Sequence, residues 1–183
     1  MKTKIIILCA LLAVSVRAQS ISPGELPNPK LTPGATFTNV TVEQLSIKGY
    51  ANKFNGGVRH VPESEKRAVF IAYFGKVPAH PGDWEIDHLI SLEIGGSNEQ
   101  ENLWPQPYHA DWNARQKDRL ENWLAASVRH CLKDKGHDAA TALLRQYQTE
   151  VATDWIACYK KHIVEPALTP RANANKSAEK TVE

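Results

Sequence analysis

Residues 84–118 run WEIDHLISLEIGGSNEQENLWPQPYHADWNARQKD and hold the densest set of turn, strand and helix-start signals in the chain. Asp87 and His88 are adjacent, Gly95 and Gly96 mark a turn, Asn102 and Leu103 follow, and Asn113 and Lys117 lie four residues apart where a helix begins. A carboxylate next to an imidazole places a hard-cation ligand beside a base with an ordinary pKa near ~6.5. The turn residues and flanking β-favouring side chains predict a hairpin, with strands near Trp84–Leu89 and Asn102–Trp104; Pro105 and Pro107 are expected to stop the second strand. Strict alternation would send Asp87 and His88 to opposite faces. For both to reach one site the strand must end or bulge near residues 87–90.

Beyond the hairpin, Asp111 can cap a helix running to about Leu132. Its inward stripe is Leu120, Trp123, Leu124, Val128 and Cys131, recurring at three- and four-residue steps. Tracing that stripe backwards reaches Lys117, then Asn113, and His109 one turn earlier. Polar groups at the start of an apolar face need partners, and a metal ion or a phosphate would serve. His109 is accordingly a second candidate metal ligand, and Lys117 or Arg115 could hold a phosphate, as a point charge or a fork.

The order of Asp-His, Gly-Gly turn, Asn-Leu and helical Asn-x-x-x-Lys resembles the HNH branch of the His-Me finger (ββα-metal) nucleases. EIDHLISLEIGGSNEQENLWPQPY and KDRLEN are similar to small secreted bacterial HNH-like proteins, over about residues 45–162. Ser91 stands where that family usually has Pro, Asn113 falls about two residues late, and no paired CxxC motifs are present. The resemblance implies an α+β fold with a ββα-metal core, short N-terminal strands and additional packing helices. It also implies an endonuclease acting on DNA or RNA. Asp87 and Asn113 would hold one divalent metal, Mg²⁺, with waters completing its shell; His88 would deprotonate the attacking water, and Asn102 would tie down the loop. Cleavage by an unperturbed imidazole would fall below pH ~6.5.

The flanks set the context. Lys2 and Lys4 precede the apolar run Ile5–Val14, and Val16-Arg17-Ala18 supplies a cleavage site, so residues 1–18 read as a secretory signal peptide too short to span a bilayer. Its removal takes three of the 22 basic residues and leaves 19 against 20 acidic ones. A charge so near neutral gives no broad nucleic-acid footprint and leaves only a local groove, with Lys66, Arg67, Arg115, Lys117 and Arg119 as candidates. It also suits a secreted binding module without catalysis; a further class is an envelope-associated structural domain in which Asp87 and His88 brace a loop. Residues 19–35, rich in Pro, read as a disordered leader, 36–165 as the domain and 166–183 as a disordered tail. Residues 36–50 suggest one or two strands, Pro62–Phe74 a helix with Ala68, Val69, Ala72 and Tyr73 inward, and 138–162 one long helix or two in succession. Cys131 and Cys158, in an exported chain, are expected to form a disulfide closing a loop of roughly 28 residues, contributing about 3.5 kcal/mol.

Overall fold

The computed structural model describes residues 24–52 and 56–168. The expected signal peptide, and the expected tail from residue 169 onward, lie outside them. Mixed α and β structure is present: α1 (Val42–Leu45), α2 (Glu63–Phe74), β1 (Trp84–His88), β2 (Leu103–Pro107), α3 (Ala114–Lys135), α4 (His137–Tyr159) and α5 (Glu165–Leu168). No helix among the described residues is long and apolar enough to cross a membrane.

The two strands pair antiparallel from Trp84↔Pro107 to His88↔Leu103. Pro105 and Pro107 lie inside β2 instead of ending it. In a sheet of two strands each strand has an unpaired outer edge, where a missing N–H costs nothing. The ladder is regular through His88, so no bulge brings Asp87 and His88 to one face. Phe74 of α2 meets Trp84 at 5.0 Å between ring centroids, on the face that also carries Ile86 and His88. The opposite face, with Asp87, meets α3 through Lys117. The hairpin therefore lies between α2 and α3, and α4 packs against α3 around Leu120, Leu124, Val128, Leu144, Tyr147 and Val151.

Local chemistry explains where the chain departs from its expected pattern. Residues 42–45 form a helical turn instead of a strand because Thr41 and Gln44 make a reciprocal capping box: Gln44 N donates to Thr41 Oγ1 at 3.3 Å and Thr41 N donates to Gln44 Oε1 at 2.9 Å. Asn113, rather than Asp111, caps α3, again with a box, to Gln116. In α2 the buried pair is Val69 and Phe70, with Tyr73 half-buried and Ala72 exposed. Trp123 of the expected α3 stripe is 37 % exposed. α4 breaks at Asp154 (φ −165°, ψ 98°), whose Oδ1 accepts from Ala157 N at 2.9 Å and starts a second arm. Residues 24–35, expected as a disordered leader, are stitched to the domain. Trp112 N donates to buried Glu25 at 2.9 Å, Trp155 Nε1 donates to Glu25 O at 2.8 Å, and Thr32 Oγ1 donates to Leu103 O at 2.8 Å. Cys131 and Cys158 are free thiols, so the expected disulfide is not formed in this structure.

Candidate active site

The loop between the strands is built to hold His88. Gly96 approaches Ile90 so closely that a Cβ would lie 1.7 Å from its carbonyl oxygen. Asn102, fully buried, clamps the same loop with three bonds: Ile90 N donates to its Oδ1, and its Nδ2 donates to Ile90 O and Ser97 O, each at 2.9 Å. The clamp fixes Asn98 beside the His88 ring, with Nε2 and Oδ1 3.1 Å apart.

Asn98 decides the tautomer of that ring. Its Nδ2 donates to Val58 O at 2.8 Å and its Oδ1 accepts from His60 N at 3.1 Å, so the amide has one satisfied orientation, oxygen toward His88. The Nε2 nitrogen must then carry the hydrogen. Burial pulls the His88 pKa down to about 4, with Arg59 and Lys117 acting in the same direction against Asp87 and the Asn98 bond. At neutral pH the imidazole is therefore uncharged, and Nδ1 bears a bare lone pair. Nδ1 is buried and has no hydrogen-bond partner among the described residues. Unpartnered buried acceptors are uncommon; Gln106 Oε1 on β2 is another, but of the two residues it is His88 that lines a cleft of about 630 Å³.

The cleft mixes charged and apolar groups, and the Glu63 carboxylate in its lining pairs with Lys66 at 2.6 Å. Arg59, Lys66 and Arg67 line it together with Phe70, Trp84 and Tyr108. Segment 58–60, held by the two Asn98 bonds, carries Arg59 to the His88 side. Glu85 also lines the cleft; burial first, and Asp87 second, push its carboxyl up.

The other face of β1 is closed. Lys117, 1 % exposed, donates from Nζ to Asp87 Oδ2 at 2.7 Å, to His88 O at 2.6 Å and to Glu121 Oε1. Burial opposes the ammonium charge, but Asp87 and Glu121 overcome it and hold the lysine protonated. Burial likewise raises Glu121, and it raises Asp118 with help from Asp87. Lys117 is thus the internal counter-charge of an acidic layer, and it is not available to a substrate phosphate.

No family model matches the chain, and no curated protein or solved structure matches it.

The expected metal donors do not form a set. The Lys117 ammonium sits on Asp87. Asn113 Oδ1 accepts from Arg115 N at 3.0 Å and its Nδ2 donates to Ala110 O at 2.9 Å, so its amide caps α3. His109 and Arg115 are exposed, and neither lines the cleft. Among the described residues, Asp87 belongs to no group of three His, Cys, Asp or Glu ligand atoms within 4.8 Å. Three contributors had not been singled out from the sequence: Arg59 lies on a segment with no motif to mark it. Asn98 had only its place in the Gly-Gly-Ser-Asn loop to signal it. Glu121 was signalled by its spacing of four from Lys117 on one helix face.

Proposed function

We propose that the chain is an exported endonuclease hydrolysing nucleic-acid phosphodiester bonds, with β1, β2 and the start of α3 forming a core of the His-Me finger type. The observation that carries this reading is the bare, desolvated Nδ1 of a neutral His88 beside a cleft lined by Arg59 and Arg67. Nδ1 is closed to solvent in this structure, so a small shift of the 89–98 loop must first admit a water; that water gives Nδ1 a proton while its oxygen attacks phosphorus, and the bond from phosphorus to the leaving oxygen breaks. Such a base contributes typically ~10² to 10⁴ in rate. Arg59 and Arg67 supply the positive charge that holds a phosphate in the cleft and favours charge developing on it, while Lys66 is paired with Glu63 at 2.6 Å. Asn98 is a positioning residue that fixes the tautomer, and Asn102 holds the loop that carries Asn98. A divalent cation at Asp87 would have to displace the Lys117 ammonium, so the chemistry is assigned to His88 and the cleft cations.

The Lys117–Asp87 pair favours a second reading, a secreted nucleic-acid-binding module that keeps the fold without cutting. One experiment separates the two. Mature wild type and His88→Ala are incubated with plasmid DNA and with RNA, in Mg²⁺, Mn²⁺ or EDTA, and binding is measured in parallel by fluorescence anisotropy. The expected result is cleavage by wild type and its loss, with binding kept, in His88→Ala. Equal cleavage by both proteins would remove His88 from the mechanism, and binding without cleavage by wild type would leave the binding module.

A further inference from the structure

A second cluster of chemistry-bearing side chains lies away from the cleft, where α4 breaks at Asp154. The first arm of α4 carries Glu150; the second carries Cys158, and His162 follows four residues later in the wide π-helical turn Lys160–Val164. One turn apart, the thiol and the imidazole present two donors to the same neighbour, and the break lets Glu150 meet both. Glu150 Oε2 is 2.6 Å from His162 Nε2 and 3.8 Å from Cys158 Sγ, and all three ligand atoms lie within 4.8 Å of one another. The imidazole is held in orientation from outside the cluster: Trp123 of α3 stacks on it at 4.9 Å between centroids, and Tyr147 meets it edge-on at 5.3 Å. A cavity of about 270 Å³ lined by Glu150, Asp154, Cys158 and Lys161 opens beside the thiol.

We propose that Glu150, Cys158 and His162 form a binding site for a thiophilic divalent cation of the zinc class. The donor set decides the class: one thiol, one imidazole and one carboxylate are the mixed soft and borderline donors that zinc takes, whereas magnesium and calcium call for oxygen alone. Binding replaces the Cys158 proton, which leaves to solvent, with a metal–sulfur bond, and His162 Nε2 and Glu150 Oε2 supply the second and third ligands. The fourth position faces the cavity, where a water can enter. Hydrogen bonds from Lys161, Gln146 and His162 outweigh burial and hold the Glu150 pKa at about 2, so this ligand is already ionised. Burial pushes the Cys158 thiol up to about 12, so without a cation it stays protonated. Lys161 bonds the other carboxylate oxygen, Oε1, at 2.6 Å, so Oε2 is the oxygen on the side of the thiol and the imidazole. The site joins the two arms of α4, so its role is to fasten the fold-back, independently of any cleavage at His88.

The test is isothermal titration of the full-length chain, reduced and stripped with a chelator that is then removed, with ZnCl₂ and separately with MgCl₂. One zinc per chain and no magnesium heat at the same concentrations are expected. Co²⁺ should give a sulfur-to-cobalt charge-transfer band in the near ultraviolet that Cys158→Ser abolishes. His162→Gln should weaken zinc binding at least about tenfold. Circular dichroism checks that both variants remain folded. Absence of zinc heat in the folded, reduced wild type would overturn the site, as would unchanged affinity in both variants.

Discussion

The two faces of β1 both bury polar groups, and they treat them in opposite ways. On the Asp87 face one buried cation serves an acidic layer: Lys117 Nζ reaches Asp87, Glu121 and the His88 carbonyl, and little of the lysine or of Asp87 is open to solvent. On the His88 face the ring is anchored through one nitrogen, and the other has no partner. Saturation is what a fold needs from a buried ion, because an uncompensated charge in the interior is costly. An unpaired acceptor beside a cleft serves no such purpose and is what a base requires. On the proposed reading, the same strand separates a structural polar layer from a chemical one.

The largest effect that can break this comparison is on stability. Lys117→Met keeps the length of the side chain and removes its charge, leaving Asp87 and Glu121 buried without a counter-ion. Chemical denaturation should show a loss of about 3–5 kcal/mol relative to wild type. A loss under about 1 kcal/mol would mean that the lysine is not the keystone of this face and that Asp87 can be satisfied by something else.

How legible each face was follows from the kind of interaction that makes it. The hairpin and α2, α3 and α4 rest on local signals, namely the Gly95-Gly96 turn, apolar steps of three and four, and Gly75 and Gly136 at positive φ where α2 and α3 end. Those signals are written in neighbouring residues. The adjacency of Asp87 and His88 was equally plain, yet adjacency within a regular strand means opposite faces, so a shared site did not follow. Lys117 was correctly placed on the inward face of a helix. What it meets there, Asp87 thirty residues earlier, depends on how α3 crosses the hairpin, and no local pattern encodes that. Residues 41–45 went the other way: their β-favouring Thr and Val were overridden by a cap needing only Thr41 and Gln44 in register.

The next effect sharpens the His88 side. Burial holds His88 at about 4, below its ordinary 6.5, so the unfolded chain takes up a proton that the folded chain refuses. The resulting stability is fully present above pH ~6.5 and is lost as pH falls toward 4, in total roughly 3 kcal/mol. Glu85, Asp118 and Glu121 act in the opposite sense, since burial raises them and the folded form protonates first. The diagnostic quantity is therefore the difference between wild type and His88→Ala in denaturant titrations at pH 7 and pH 4.5. Parallel curves at both values would show that the ring is not held neutral by burial. Cleavage should likewise persist well below pH 6.5, in contrast to the limit expected of an unperturbed imidazole.

A smaller change tests the anchor. Asn98→Asp keeps an acceptor for His88 Nε2–H but adds a negative charge, which favours imidazolium and raises the pKa of His88. The acid limb of the cleavage profile should move to higher pH, with the rate above pH 8 altered by less than about tenfold. An acid limb that stays in place would show that Asn98 does not govern the protonation of this ring.

The smallest effect concerns binding alone and contrasts two arginines. Arg59 lines the cleft beside His88, whereas Arg115 is exposed on the first turn of α3 and lies outside it. A cation that meets a phosphate releases a counter-ion, so its removal weakens binding across sequences and lowers the slope of log affinity against log salt by about one. Arg59→Ala should do this, measured by anisotropy with a labelled oligonucleotide at several salt concentrations. Arg115→Ala should leave both affinity and slope unchanged. Arg59 also donates from Nε to Ala51 O at 3.3 Å, so its loss can free the backbone at Ala51 and Arg59 instead of removing a phosphate contact. Arg59→Lys distinguishes these possibilities, because lysine lacks that Nε donor but keeps the charge: a restored salt slope assigns Arg59 to phosphate, and a slope as low as in Arg59→Ala assigns it to the loop. If Arg115→Ala reduces the slope and Arg59→Ala does not, the nucleic acid crosses the start of α3, and the cleft at His88 is not where it binds.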